Sequence, residues 1–165
     1  MTNIYVVGVG MTPFGKFMDT SIRALAHRAI ADAMQDAGAA ISDVGAAFYA
    51  NTVQGAMEGQ LMVGGQVVLR SMGFESIPIS NVENACASGS TAFHLAHTYI
   101  RAGVTDVALA VGVEKMYYED RAKVNSLFDG AWDVDNADKI VAALQAIGKG
   151  VEPAPGRAEP PGARS

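Results

Sequence analysis

Cysteine is almost missing. A single residue, Cys86, occurs in 165, which excludes an intramolecular disulfide and a Cys-rich zinc cluster. A basic excess is missing too: the net charge is −5 and the pI about 5.1. Binders of a phosphate backbone carry basic surface, so no nucleic-acid partner is expected. No apolar run approaches the roughly 20 residues of a membrane span, and no membrane partner is expected. The opening MTNIYVVGVG lacks the basic start and small-residue cleavage site of a signal peptide. These absences lead to the expectation of a soluble, cytoplasmic protein. What is present is apolar: 50% of residues are hydrophobic and 18% charged, too apolar for disorder throughout. A chain of this length holds one domain with its own core, not two full-sized ones.

Short β-branched runs alternate with helical spacing. Asn3–Gly10 (NIYVVGVG) reads as a buried strand closed by glycine. Ser21–Ala37 places Ile22, Leu25, Ala26, Ala29, Ile30, Ala33 and Met34 at helical intervals; Thr20 or Ser21 can cap its start and Gly38 its end. Ala46–Asn51 reads as a strand, Leu61–Met72 as a helix, Ile77–Val82 as a strand, Ala87–Arg101 as a helix and Asp106–Val113 as the clearest strand. The order β-α-β-α-β-α-β predicts an α/β fold with a mostly parallel central sheet flanked by helices. Residues 1–116 form the expected domain. Residues 117–149 follow as a partly helical loop region, with helical spacing over Asn136–Ile147. Residues 150–165 are expected to be disordered, since Gly148–Ser165 holds four of the six prolines and no apolar period.

Two glycine-bearing or cysteine-bearing stretches could carry chemistry. Gly8-Val9-Gly10 begins like a dinucleotide-binding loop, but Pro13 stands where the third glycine belongs, and the next helix starts too late to hold a pyrophosphate. The glycines are better read as a tight exit from a strand. Asn84-Ala85-Cys86-Ala87-Ser88-Gly89-Ser90 lies between a predicted strand and a predicted helix. Such a junction sits at the carboxyl edge of the sheet, where open α/β sheets place their sites. It resembles geometrically the nucleophile elbow of serine hydrolases, with sulfur in place of oxygen. Small neighbours allow close approach of an acyl group. The following helix directs free N–H groups and a positive dipole end at the sulfur, which favours the thiolate. A thiolate can attack a carbonyl and carry the acyl group covalently. On position alone, Cys86 is read equally well as a small buried hydrophobe.

Taken together, three segments resemble the amino-terminal part of a thiolase, specifically the sterol-carrier-protein type: Val6–Phe17 (VVGVGMTPFGKF), Val82–Gly103 (VENACASGSTAFHLAHTYIRAG) and Val107–Met116 (VALAVGVEKM). The resemblance covers roughly Asn3 to Met116. It implies the thiolase-like N-terminal half of a two-half fold that works as a dimer or tetramer. Cys86 matches the family's acyl-accepting nucleophile, in 3-oxoacyl-CoA thiolysis or Claisen condensation. No bound cofactor is implied; a coenzyme A thioester is the substrate. Relatives in steroid degradation catalyse retro-aldol cleavage with a small partner protein. The family's second half supplies the activating histidine, a second cysteine and most of the CoA surface. This sequence has no second cysteine, and its three histidines lie in no matching motif. A homo-oligomer, or a partner chain supplying His and the second Cys, is therefore expected. The alternatives are a non-catalytic thiolase-like subunit that docks on a partner chain, or a truncated remnant.

Supporting roles near Cys86 fall to Asn84, which can orient the turn, to Gly89, and to Glu114, which follows the clearest strand at the same edge as Lys115 and can bond backbone near the elbow. Glu83 can act like Asn84. His94 and His97, three apart on a helix, have no third ligand nearby, and no metal is expected. His27, beside Arg28, is expected to be solvated. Met57, Met62, Met72 and Phe74 are expected to fill core, with an interface as the alternative.

Overall fold

The computed structural model describes residues 3–150. The expectation for residues 151–165 lies outside them. The chain divides between Val124 and Asn125 into two units.

The first unit is built on three parallel strands, β1 (Ala46–Ala50), β2 (Ile79–Val82) and β3 (Ala108–Gly112), in the order β2-β1-β3. Phe48 pairs with Ser80 on one side and Ala110 on the other. Because β1 is central and covered on both faces, all five of its residues are buried. Successive side chains point to opposite faces. Ala47 and Tyr49 join a core with Ala26, Ile30, Val68, Leu69, Phe74 and Val111, beneath α1 (Ile22–Ala37) and α3 (Gly64–Arg70). Ala46, Phe48 and Ala50 join Val82, Ala92 and Ala96 beneath α4 (Ser88–Arg101). The Phe48 ring meets Tyr99 edge-on at 4.8 Å. The result is a helix–sheet–helix sandwich.

The apolar stripe read from the sequence orients α1, burying Ile22, Leu25, Ala26 and Ile30. Ser21 Oγ accepts from Ala24 N at 3.1 Å, and Gly38, at φ 61°, closes the helix in the left-handed conformation. His27 is half-buried rather than fully solvated: its Nε2 lies 3.1 Å from Val68 O and 2.8 Å from Ser71 Oγ, tying α1 to the end of α3.

The largest correction concerns Asn3–Gly10, which forms no strand. The segment lies along α1 instead. Val9 N donates to Asp36 Oδ2 at 2.9 Å. A Cβ on Gly8 or Gly10 would fall 2.3 Å from Ala33 O or 2.1 Å from Ala29 O, so only glycine permits this approach. With no strand alongside, apolar composition alone has nothing to pair with. The expected helix Leu61–Met72 is also shortened. A short helix, α2 (Gln54–Glu58), precedes it, and Leu61, Met62 and Val63 form an exposed loop with Val63 at φ 51° before α3 begins. Met57 and Phe74 are core, as expected, whereas Met62 is exposed.

After β3 the chain enters α5 (Arg121–Ser126), which crosses the division. Among the described residues the second unit holds, after the end of α5, two 3-10 turns, Leu127–Ala131 and Val134–Asn136, and α6 (Ala137–Gly148), none of whose residues is buried. No helix among the described residues is long and apolar enough to cross a membrane.

Candidate active site

Three parallel strands release their chains at one edge of the sheet, and the polar residues gather there. β2 runs into Glu83 and Asn84, then a 3-10 turn, Ala85–Ala87, and only then α4. Cys86 occupies the middle of that turn, exposed and unpaired with any other cysteine. The turn is sharp. Ala85 adopts φ 45°, a left-handed conformation rare for a residue with a Cβ.

Hydrogen bonds hold it there. Ser88 Oγ, buried at the start of α4, donates to Ala85 O at 2.8 Å and accepts from Asn84 N at 2.7 Å. Ala87 N donates to Asn84 O at 2.9 Å. Asn84 Nδ2 donates to Thr91 Oγ1 at 3.0 Å, and the Glu83 carboxylate accepts from Ala85 N at 2.7 Å. The backbone N and O of Asn84 and Ala85 are thus bonded, while Cys86 is exposed. Space beside Gly89 is open: nothing lies within 4 Å of where its Cβ would be.

The turn is tied to the ends of the other two strands. Thr52, two residues beyond β1, directs Oγ1 to Ala85 O at 3.1 Å and to Ser88 Oγ at 3.2 Å. Its backbone N donates to Glu114 Oε2 at 2.9 Å. Glu114 follows β3; its Oε1 also accepts from Asn51 Nδ2 at 3.1 Å, and Asn51 Nδ2 donates to Val113 O at 2.7 Å. Glu114 therefore reaches the residue before Cys86 through Thr52, and no bond joins Glu114 to Cys86 directly. Loss of hydration raises the Glu114 carboxyl above its ordinary value, against the bonds from Thr52, Val53, Asn51 and Lys115, which favour the carboxylate.

Lys115 pairs with Glu58, its Nζ 3.8 Å from Glu58 Oε1. Glu58 also accepts from Tyr118 OH at 2.9 Å; burial, then the Glu58 bond and charge, push the Tyr118 phenol up to about 12. The elbow residues Asn84, Cys86 and Gly89 and the more distant Glu114 thus share one edge. His94 is exposed on α4, and His97 lines a cavity whose walls do not include residues 84–89. Among the described residues no cluster of three or more His, Cys, Asp or Glu could hold a metal.

Sequence reasoning missed Asn51, Thr52 and Ser88. A signal for the first two existed: a polar pair directly after a fully apolar strand marks the sheet's carboxyl edge. Ser88 carried none, because a serine at a helix start is ordinarily read as a cap.

Comparison with known proteins reports on the whole architecture. The family described as "Thiolase, N-terminal domain" matches residues 4–144. An acetyl-CoA acetyltransferase from Methanocaldococcus jannaschii is 32% identical over 135 residues, covering 81% of this chain and 34% of that protein. Sterol carrier protein 2 from Gallus gallus is 37% identical over 115 residues, covering 68% of this chain and 20% of its own length. The chain thus spans about a third or less of these relatives. A 3-oxoacyl-[acyl-carrier-protein] synthase III from Aquifex aeolicus shares the fold, with a TM-score of 0.55 at 19% identity, over 63% of this chain and 34% of that one.

Proposed function

Because the chain belongs to the thiolase family through its N-terminal domain, we propose that Cys86 is an acyl-accepting nucleophile acting on a coenzyme A thioester. The observation that supports this is the placement of Cys86. It is exposed on a strained turn at the carboxyl edge of a parallel sheet, with the turn's backbone bonded and the sulfur free.

In the thiolysis direction the Cys86 thiolate attacks the 3-oxo carbonyl of a 3-oxoacyl-CoA. The C2–C3 bond breaks, the electron pair leaves with the acetyl-CoA fragment, and that fragment takes up a proton. The acyl group remains on sulfur as a thioester and passes to the thiol of a second CoA, which regenerates Cys86. Condensation runs the steps in reverse. Asn84, Ser88 and Thr52 orient the turn, and Glu114 holds Thr52. The proton-transfer groups and oxyanion donors are assigned to polypeptide beyond residues 3–150, of this protein or of a partner chain. General-base help of this kind is worth about 10²–10⁴-fold, so this chain alone acylates slowly.

The test compensates for the missing base. The chain is incubated for hours with acetyl-CoA and with a medium-chain acyl-CoA near pH 9, where an ordinary thiol, with a pKa of about 8.5, is ionised unaided. Intact-mass analysis and peptide mapping follow. An acyl mass shift on the Cys86 peptide, absent from Cys86→Ser, is the expected result. No shift, with Cys86 still alkylated by iodoacetamide, would overturn the proposal. If the fold and a defined oligomer persisted in that case, the chain would be a non-catalytic thiolase-like subunit.

A further inference from the structure

Two hydroxyls converge on the peptide that joins Ala85 to Cys86. Ala85 O accepts from Ser88 Oγ at 2.8 Å and from Thr52 Oγ1 at 3.1 Å, and the two hydroxyls lie 3.2 Å apart. A peptide unit is planar, so a fixed carbonyl also fixes the Cys86 N–H and the direction in which the Cys86 Cα leaves the turn. Ala85 needs that hold, because φ 45° is strained for a residue with a Cβ. Ser88 belongs to the helix that follows the turn, whereas Thr52 reaches it from the end of another strand.

One carboxyl group holds Thr52 in turn. Glu114 Oε2 accepts from Thr52 N at 2.9 Å, and Oε1 accepts from Asn51 Nδ2 at 3.1 Å and Val53 N at 3.3 Å. Donors from three successive residues therefore meet on it. An ionised carboxyl accepts at both oxygens; a protonated one turns an O–H toward those donors and cannot satisfy them all. Loss of hydration lifts the Glu114 carboxyl above its ordinary value, which moves this change of charge toward neutral pH. Around Glu114 stand Tyr49 on β1, Glu58 on α2, and Lys115 and Tyr118 after β3. Burial above all raises both phenols, Tyr118 to about 12, so neither ionises together with a carboxyl. Lys115 is paired with Glu58, and on the turn itself Glu83 accepts from Ala85 N.

On the reading of Cys86 as the nucleophile, we propose that Thr52 is a positioning residue for it and that Glu114 controls this positioning by its charge. The carboxylate holds the turn in its reactive form, and the protonated acid releases it. Direct repulsion by the Glu114 charge would act in the opposite direction, by disfavouring the thiolate.

The test follows the rate at which Cys86 reacts with dipyridyl disulfide in the full 165-residue chain. It runs from about pH 4 to about pH 9, across carboxyl and thiol ionisation. This reagent needs no coenzyme A site, so the result stands apart from the acylation test. In the acid limb the wild-type rate should fall at least about three-fold further than the loss of thiolate accounts for, within the range of coupling inside one hydrogen-bond network. Glu114→Gln and Thr52→Val should each react more slowly than wild type at neutral pH, lack the extra acid step, and show no further loss when combined. Thr52→Ser, which keeps the hydroxyl, should restore both the rate and the step. A wild-type profile without the step, a step that survives Glu114→Gln, or a faster Glu114→Gln protein would overturn control by Glu114. A wild-type rate and profile in Thr52→Val would overturn the role of Thr52, and that variant with Thr52→Ser decides the matter if Glu114→Gln does not fold.

Discussion

β1 and Asn3–Gly10 carry nearly the same sequence signal and meet opposite fates. Both are short, apolar and free of charge. β1 is at most 3% exposed at every position, while Val6, Val7 and Val9 are 62%, 65% and 67% exposed. Composition does not separate them. β1 has strands on both sides and helices on both faces; Asn3–Gly10 has one helix, and its backbone is spent on close approach to α1. A strand is a property of its neighbours as much as of its residues.

Substitutions can break this contrast or sharpen it. The largest effect is expected at Phe48, fully packed beneath α4: Phe48→Ala should cost about 3–5 kcal/mol in urea unfolding. Gly65→Ala attacks β1 from the other face, since the new Cβ would lie 2.7 Å from Tyr49 Cβ and 3.0 Å from Asn81 Oδ1; overpacking of this kind costs about 1–3 kcal/mol. Ser88→Ala should cost a similar amount, about 1–3 kcal/mol, by leaving Asn84 N–H without its acceptor. It should also alter the rate at which iodoacetamide alkylates Cys86, a readout that general destabilisation would leave unchanged in folded protein.

Glu114 gives a pH test. Its folded-state value is raised above 4.5, so the folded chain binds more protons than the unfolded one. Its contribution is then greatest below 4.5 and falls as pH rises through the folded value. Glu114→Gln should flatten that part of the Tm-against-pH curve; an unchanged slope would remove Glu114 as its source. The smallest effect belongs to the other member of the pair: Val7→Ala should stay within about 0.5 kcal/mol. A loss comparable to Phe48→Ala would mean that the segment is already buried in solution.

The same logic runs through the two units. α1 and α6 both show helical apolar spacing, yet α1 buries four residues and α6 none. Periodicity announces a face that can be buried; it does not supply what buries it. The placement of Cys86, Asn84, Gly89 and Glu114 at one sheet edge was legible, because the strand-turn-helix grammar around NACASGS and the GVEKM run put them there. Thr52 was not, because its importance comes from two hydrogen bonds that join segments more than thirty residues apart, and Ser88 was not, because a serine at a helix start is ordinarily read as a cap.

The sequence by itself determined the alternation of strands and helices, the glycine stop of α1, and a lone cysteine at a strand-to-helix junction. These depend on local propensity and short spacing. Only the tertiary structure decided which apolar run became the central strand, which polar residues hold the cysteine's turn, and that the apolar opening segment lies along α1. Those outcomes depend on backbone pairing and burial between distant segments, where each group's energy is set by what stands opposite it.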